Sequence, residues 1–163
     1  ILKDIPYTEF IKDGKVYFEV QREDNTFIEV YSTRQALAQR NARLYRECGM
    51  RSQFEYYFAQ QLEEIGIEYE YEHKDDLYPY DCDFYLPKYR AYIELHTGPQ
   101  HGQCFYDKTI HKDENLLEDG WNYTWKVRDV EKRECAIKNN LNYVVLFTIT
   151  EINDFLRKLN ENK

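Results

Sequence analysis

Apolar and polar positions alternate with a period of two through "EFIKDGKVYFEV", residues 9–20, broken only at Asp13-Gly14. Asp-Gly between two alternating runs predicts a two-residue β-hairpin. "YFEVQREDNTFIEVY" repeats the pattern across the polar connection Arg22–Asn25, so the first thirty residues read as a small β-meander. From Arg34 the spacing becomes helical, with Ser32 or Thr33 as the cap and Gly49 as the stop. A second helix is predicted over 52–65 in "SQFEYYFAQQLEEIG". Ser52 and Glu55 have capping-box spacing, Phe54, Tyr57, Phe58 and Leu62 form the apolar stripe, and Gly66 ends it.

Period two returns in "IEYEYEHK", with Ile67, Tyr69 and Tyr71 on one face, and continues in "DCDFYL" and "YRAYIELH", joined at Pro87-Lys88. The rest reads as a helix near 104–118, a loop at Gly120–Asn122, a helix at 126–139, the strand "YVVLFTI" and a last helix from Glu151. Helix, three strands, helix, strand, helix predicts an α/β fold with a mixed central β-sheet flanked by helices. The expected division is 1–50 for the hairpins and first helix, and 51–163 for the α/β core.

Composition narrows the classes. At 163 residues with 42% hydrophobic content the chain can bury a core, and no apolar run approaches the roughly 18–20 residues of a membrane span. Four scattered cysteines without a C-x-x-C pair read as free thiols, and a cytoplasmic location follows from that reading. The chain opens on Ile1 with no signal-type segment, which reads as a piece of a longer protein. The formal charge of −8 opposes nucleic-acid binding overall. Between Arg34 and Arg51, however, five arginines face one glutamate, and that +4 segment makes Arg40, Arg43 and Arg46 candidates for phosphate contacts.

The chemistry gathers in "YDCDFYLPKYRAYIELHTGPQHGQ", residues 80–103. Asp81 and Asp83 share one strand face, and Glu94 and His96 share a face at the end of the next. If the strands pair, Asp83, Glu94 and His96 converge at one sheet edge, where the second helix can add Glu55. Gathered carboxylates call for a cation, and Mg²⁺ is the natural one for oxygen donors. A nearby imidazole accepts a proton near neutrality more readily than a lysine amine. Taken singly these residues have plainer roles: Glu55 as a capping partner, Asp129 with Arg133 as an i, i+4 ion pair, and His73 and His111 as surface residues.

An acid on a helix, "PYDCDFYLP" and then "YIELH" resemble the PD-(D/E)XK nuclease pattern, with His96 in the place of the usual lysine. His96 and His101, five residues apart, look like the very-short-patch repair endonucleases and the EDxHD homing endonucleases. Asp129 and Arg133 in "WKVRDVEKRECAIKNNLNYVVLFT" continue the likeness, which covers about residues 51–149. The resemblance implies a restriction-endonuclease-like core and Mg²⁺-dependent cutting of double-stranded DNA. It makes Asp83 a metal ligand, Glu55 an assisting acid, and His96 and His101 the groups acting on water or leaving oxygen. Glu94 is a second ligand if the commoner Glu-x-Lys geometry holds. Asp81 competes with Asp83, and Asp107 competes with Asp129 for the last acid. Gly98, Gln103 and Phe105 stand near the places of the repair enzymes' zinc ligands, so no zinc is expected there. "TGPQ" lacks the aromatic wedge of those enzymes, which favours the homing type. Rival readings are an inactive acidic DNA mimic and a transition-metal site of His96, His101 and Cys104. Whether the chain forms a homo-oligomer is open.

Overall fold

A computed structural model describes residues 7–13, 15–21, 27–30 and 49–163. The chain divides into two compact units, Ile1–Gln60 and Gln61–Lys163, where the sequence suggests 50/51. The predicted arginine-rich helix, with Arg40, Arg43 and Arg46, lies outside the described residues.

In the first unit, β1 (Tyr7–Lys12), β2 (Lys15–Gln21) and β3 (Phe27–Val30) form an antiparallel sheet in that order. Lys12 pairs with Lys15, so the hairpin loop is the two residues read from the sequence. Asp13 takes φ 53°, the left-handed conformation that a two-residue hairpin turn requires. Phe10 stacks on its cross-strand partner Tyr17 at 5.7 Å between ring centres. Helix α1 (Gln53–Glu64), which the division after Gln60 crosses, starts at the predicted capping box: Glu55 N donates to Ser52 Oγ at 3.2 Å, and Ser52 N donates to Glu55 Oε2 at 3.1 Å. Its buried stripe carries Tyr56, Phe58, Ala59 and Leu62, while the expected Phe54 and Tyr57 are half-buried.

The second unit holds a mixed four-stranded sheet ordered β4 (Glu70–His73), β5 (Cys82–Leu86), β6 (Ala91–Leu95), β7 (Asn142–Leu146). β4, β5 and β6 are successively antiparallel, and β7 joins β6 in parallel. A parallel pair needs a crossover, and a long helical connection supplies it. This connection is α2 (Asp119–Tyr123), a π-helical turn at Thr124–Arg128, and α3 (Asp129–Lys138). The last helix, α4 (Ile149–Glu161), is capped by Thr148, whose hydroxyl accepts from Glu151 N at 3.1 Å. α3 and α4 both pack on β7. Among the described residues, no helix is long and apolar enough to cross a membrane.

β5 alternates, burying Cys82, Phe84 and Leu86, whereas every residue of β6 is buried. Tyr78, Cys82 and Tyr92 form a core cluster. Burial, with Glu94 and Asp83 nearby, pushes the Cys82 thiol above its usual range, so it stays protonated and behaves as a small apolar group. Cys82, Cys104 and Cys135 are all free thiols.

Two predicted elements are corrected. No helix forms over 104–118; a 3₁₀ turn at Pro99–His101 is followed by irregular chain. Asp107 explains the loss, because its Oδ1 accepts from both Thr109 N and Thr109 Oγ1, while its own N–H donates to His111 Nδ1. Such side-chain bonds offer the backbone an alternative to helix. The crossover helix also begins at Asp119 rather than 126, since Asn122, expected in a loop, closes the preceding turn through Leu116 N and Leu116 O.

Trp125, 2% exposed, anchors this loop from the π-helical turn, donating Nε1–H to Cys104 O at 2.7 Å. Its ring lies against Gly102, where φ is +64° and an added Cβ would fall 2.3 Å from Trp125 Cε2. Gly102→Ala is therefore expected to lower stability by at least about 2 kcal/mol, through left-handed strain and overpacking. A urea midpoint equal to that of the unaltered chain would show that Trp125 does not sit against this glycine.

Candidate active site

β6 ends at Leu95, and one further ladder bond, His96 N to Leu146 O at 2.9 Å, fixes His96 beyond the strand. The chain then turns at Gly98-Pro99, and His101 N donates to Gly98 O at 3.2 Å. This turn brings His101 back over His96: the imidazoles stack at 3.9 Å with 4° between their planes. Asp129, the first residue of α3, reaches them from the crossover. Its Oδ2 lies 2.7 Å from His101 Nδ1 and 3.8 Å from His96 Nδ1.

A carboxylate only accepts, so the 2.7 Å contact puts the His101 proton on Nδ1 and leaves the Nε2 lone pair available. His96 differs. Its side chain is 4% exposed, and neither ring nitrogen makes a hydrogen bond; Nε2 is fully buried without a partner. Burial, with His101 and Lys132 beside it, lowers the His96 pKa to about 2, so this ring is neutral. Phe147 closes one side, edge-on to His96 at 5.9 Å, and Phe105 packs perpendicular to Phe147.

Among the described residues, His96, His101 and Asp129 are the group whose potential metal-ligating atoms all lie within 4.8 Å of one another. The carboxylates expected to hold an ion have hydrogen-bond partners of their own. Glu94, 2% exposed, accepts from Tyr78 Oη at 2.6 Å and from Lys132 Nζ at 3.1 Å. Asp83 Oδ2 accepts from Leu95 N at 2.8 Å, across the β5–β6 pair. Glu55, in the other compact unit, accepts from Arg51 N and Ser52 N at the start of α1. Asp81 is exposed ahead of β5.

Of the two candidates for the last acid, Asp129 meets the histidines and Asp107 is exposed in its own turn. Arg133 does not take the default pairing with Asp129; its Nη2 donates to Tyr106 O at 2.9 Å, and its guanidinium lies 4.8 Å over Phe105. Cys104 is not in the histidine cluster, its sulfur standing 3.9 Å from His111 Nε2. Nor are His73 and His111 bare surface residues. His73 is held between Glu70 and Asp75, at 2.5 and 2.7 Å, and stacks on Tyr85; His111 accepts from Asp107 N and tilts against Trp125.

Lys132 and Tyr78 went unread in the sequence. The signal was there in part: a glutamate inside the apolar run "AYIEL" needs a cation or hydroxyl, but nothing local says which.

The fold and cluster together define an α/β protein with a histidine–histidine–aspartate site at the end of a central strand. No family model, no curated protein and no solved structure matches this chain.

Proposed function

We propose that this chain is a phosphodiester hydrolase acting on double-stranded DNA, an endonuclease of the kind its sequence resembles. The observation that carries the reading is the Asp129–His101 pair, with its free Nε2, stacked on an uncharged His96. His101 Nε2 takes a proton from water as the water oxygen attacks phosphorus in line and the bond to the 3′-oxygen breaks, that oxygen leaving with the electron pair and taking a proton from solvent. Asp129 holds the ring in the required tautomer and compensates the imidazolium that forms. The neutral His96 beneath adds no second positive charge, so the protonated state of His101 is opposed by no neighbouring imidazolium.

The Mg²⁺ implied by the resemblance does not fit the cluster. Mg²⁺ takes oxygen ligands and keeps several waters, whereas the converging donors are two ring nitrogens and one carboxylate in a largely buried setting. Glu94 already has Lys132 and Tyr78 in the place of an ion. The mechanism is accordingly carried by the side chains.

Supercoiled plasmid nicking tests the proposal. His101→Ala and Asp129→Asn should each slow nicking at least about a hundredfold, the lower range for a lost general base. Equal nicking by the variants and the unaltered chain would overturn the assignment. The charge of −8 favours a second reading, an acidic module that mimics DNA. Retention on an anion exchanger and not on heparin, with no nicking, is its expected signature.

A further inference from the structure

We infer that the His96–His101–Asp129 cluster binds one transition-metal cation of the Zn²⁺ or Co²⁺ class in preference to Mg²⁺, and that this ion arrests the base proposed above. The inference rests on the same cluster as that reading but makes a separate claim about it.

Donor chemistry comes first. Imidazole suits Zn²⁺, Co²⁺ and Ni²⁺, while carboxylate and water suit Mg²⁺. With bonds of about 2.0–2.1 Å, tetrahedral ligands stand roughly 3.3 Å apart. The two contacts of Asp129 Oδ2, 2.7 Å to His101 and 3.8 Å to His96, bracket that separation. Turning the rings would therefore equalise them around an ion.

The second observation is independent of spacing. His96 is almost fully buried, and neither of its nitrogens is hydrogen-bonded. A buried polar group without a partner is costly, and native proteins rarely keep one without a reason. An ion between His96 Nδ1 and Asp129 gives Nδ1 a partner nearer than the Asp129 oxygen at 3.8 Å, while the buried Nε2 keeps the ring proton.

The exchange is balanced. The Nδ1 proton of His101 passes through solvent to Nε2, and the freed Nδ1 lone pair and the Asp129 oxygen both bind the cation. Parallel stacking holds the two Nδ1 lone pairs side by side, so each ring must turn toward the ion and the stack opens. Asp129 then no longer orients His101 as a base. Metal occupancy and general-base action exclude each other.

Co²⁺ titration of the full chain without DNA, followed by visible absorption, is the direct experiment. One Co²⁺ per chain is expected, with d–d bands and no thiolate charge-transfer band. Zn²⁺ should displace it, and a thousandfold excess of Mg²⁺ should not. His101→Gln and Asp129→Asn should each lose the bands while keeping the circular dichroism of the unaltered chain; Cys104→Ser and His111→Gln should keep them. The histidine proton resonances should shift as the stack opens. Absence of bound Co²⁺, binding unchanged in Asp129→Asn, a thiolate band lost in Cys104→Ser, or displacement by Mg²⁺ would each overturn the inference. Stoichiometric Zn²⁺ should also stop plasmid nicking. Nicking that persists with Zn²⁺ bound overturns the claim of arrest. Co²⁺ binding to a chain that never nicks DNA leaves the metal site standing and removes only the nuclease reading.

Discussion

Replacing Lys132 with methionine is expected to lower stability by about 3–5 kcal/mol, the usual effect of removing one partner from a buried ion pair. Lys132 Nζ lies 3.1 Å from Glu94 Oε1, with the side chains 11% and 2% exposed, so water cannot take over the lost contact. Tyr78 still donates to Glu94, and burial beside Glu94 holds that phenol above its usual range, so it remains a donor; it brings no charge. Lys132→Met combined with Glu94→Gln removes the stranded charge and keeps the Tyr78 bond, and should recover most of the loss. Urea denaturation of the two single variants and the double variant measures this. A single variant with an unchanged midpoint would mean that the pair contributes nothing to holding α3 on the sheet.

The second large effect is on pH. His96 has its native pKa lowered to about 2, against an ordinary 6.5. Between those values the unfolded chain binds a proton at this position and the folded chain does not. Stability contributed at this site is therefore flat above about pH 6.5 and falls as the pH drops, by up to about 1.4 kcal/mol per pH unit. Acid titration of stability in the presence of a chelator should show that slope. His96→Gln has no such proton to take up and should flatten the slope from pH 6.5 downward. Identical slopes for the two proteins would place His96 in contact with water.

Much of the fold is readable locally. The Asp13-Gly14 hairpin, the Ser52–Glu55 capping box, the β5–β6 pair and the strand in "YVVLFTI" all follow from patterns spanning a few residues, while the parallel pairing of that strand with β6 does not. The failures have physical causes of the same scale or larger. At 104–118 a helix is expected, but Asp107 and the Trp125 anchor take its backbone groups. At α1 the stripe turned, burying Tyr56 in place of Tyr57. Arg133 had an acid one helical turn away and took the carbonyl of Tyr106 instead.

The candidate site divides in the same manner. The sequence by itself determined that two histidines follow a buried strand, that a glutamate sits within that strand, and that acids stand within reach on either side. Those facts depend on spacing along one segment, where a strand or a tight turn leaves few arrangements. Only the tertiary structure decided that His101 folds back onto His96, that Asp129 and not Asp107 meets them, and that Lys132 neutralises Glu94. The turn at Gly98-Pro99 makes the first of those contacts, and the other two join residues that the crossover from β6 to β7 brings together. The partner of a buried charge is chosen by where that helix returns to the sheet, which no local pattern encodes.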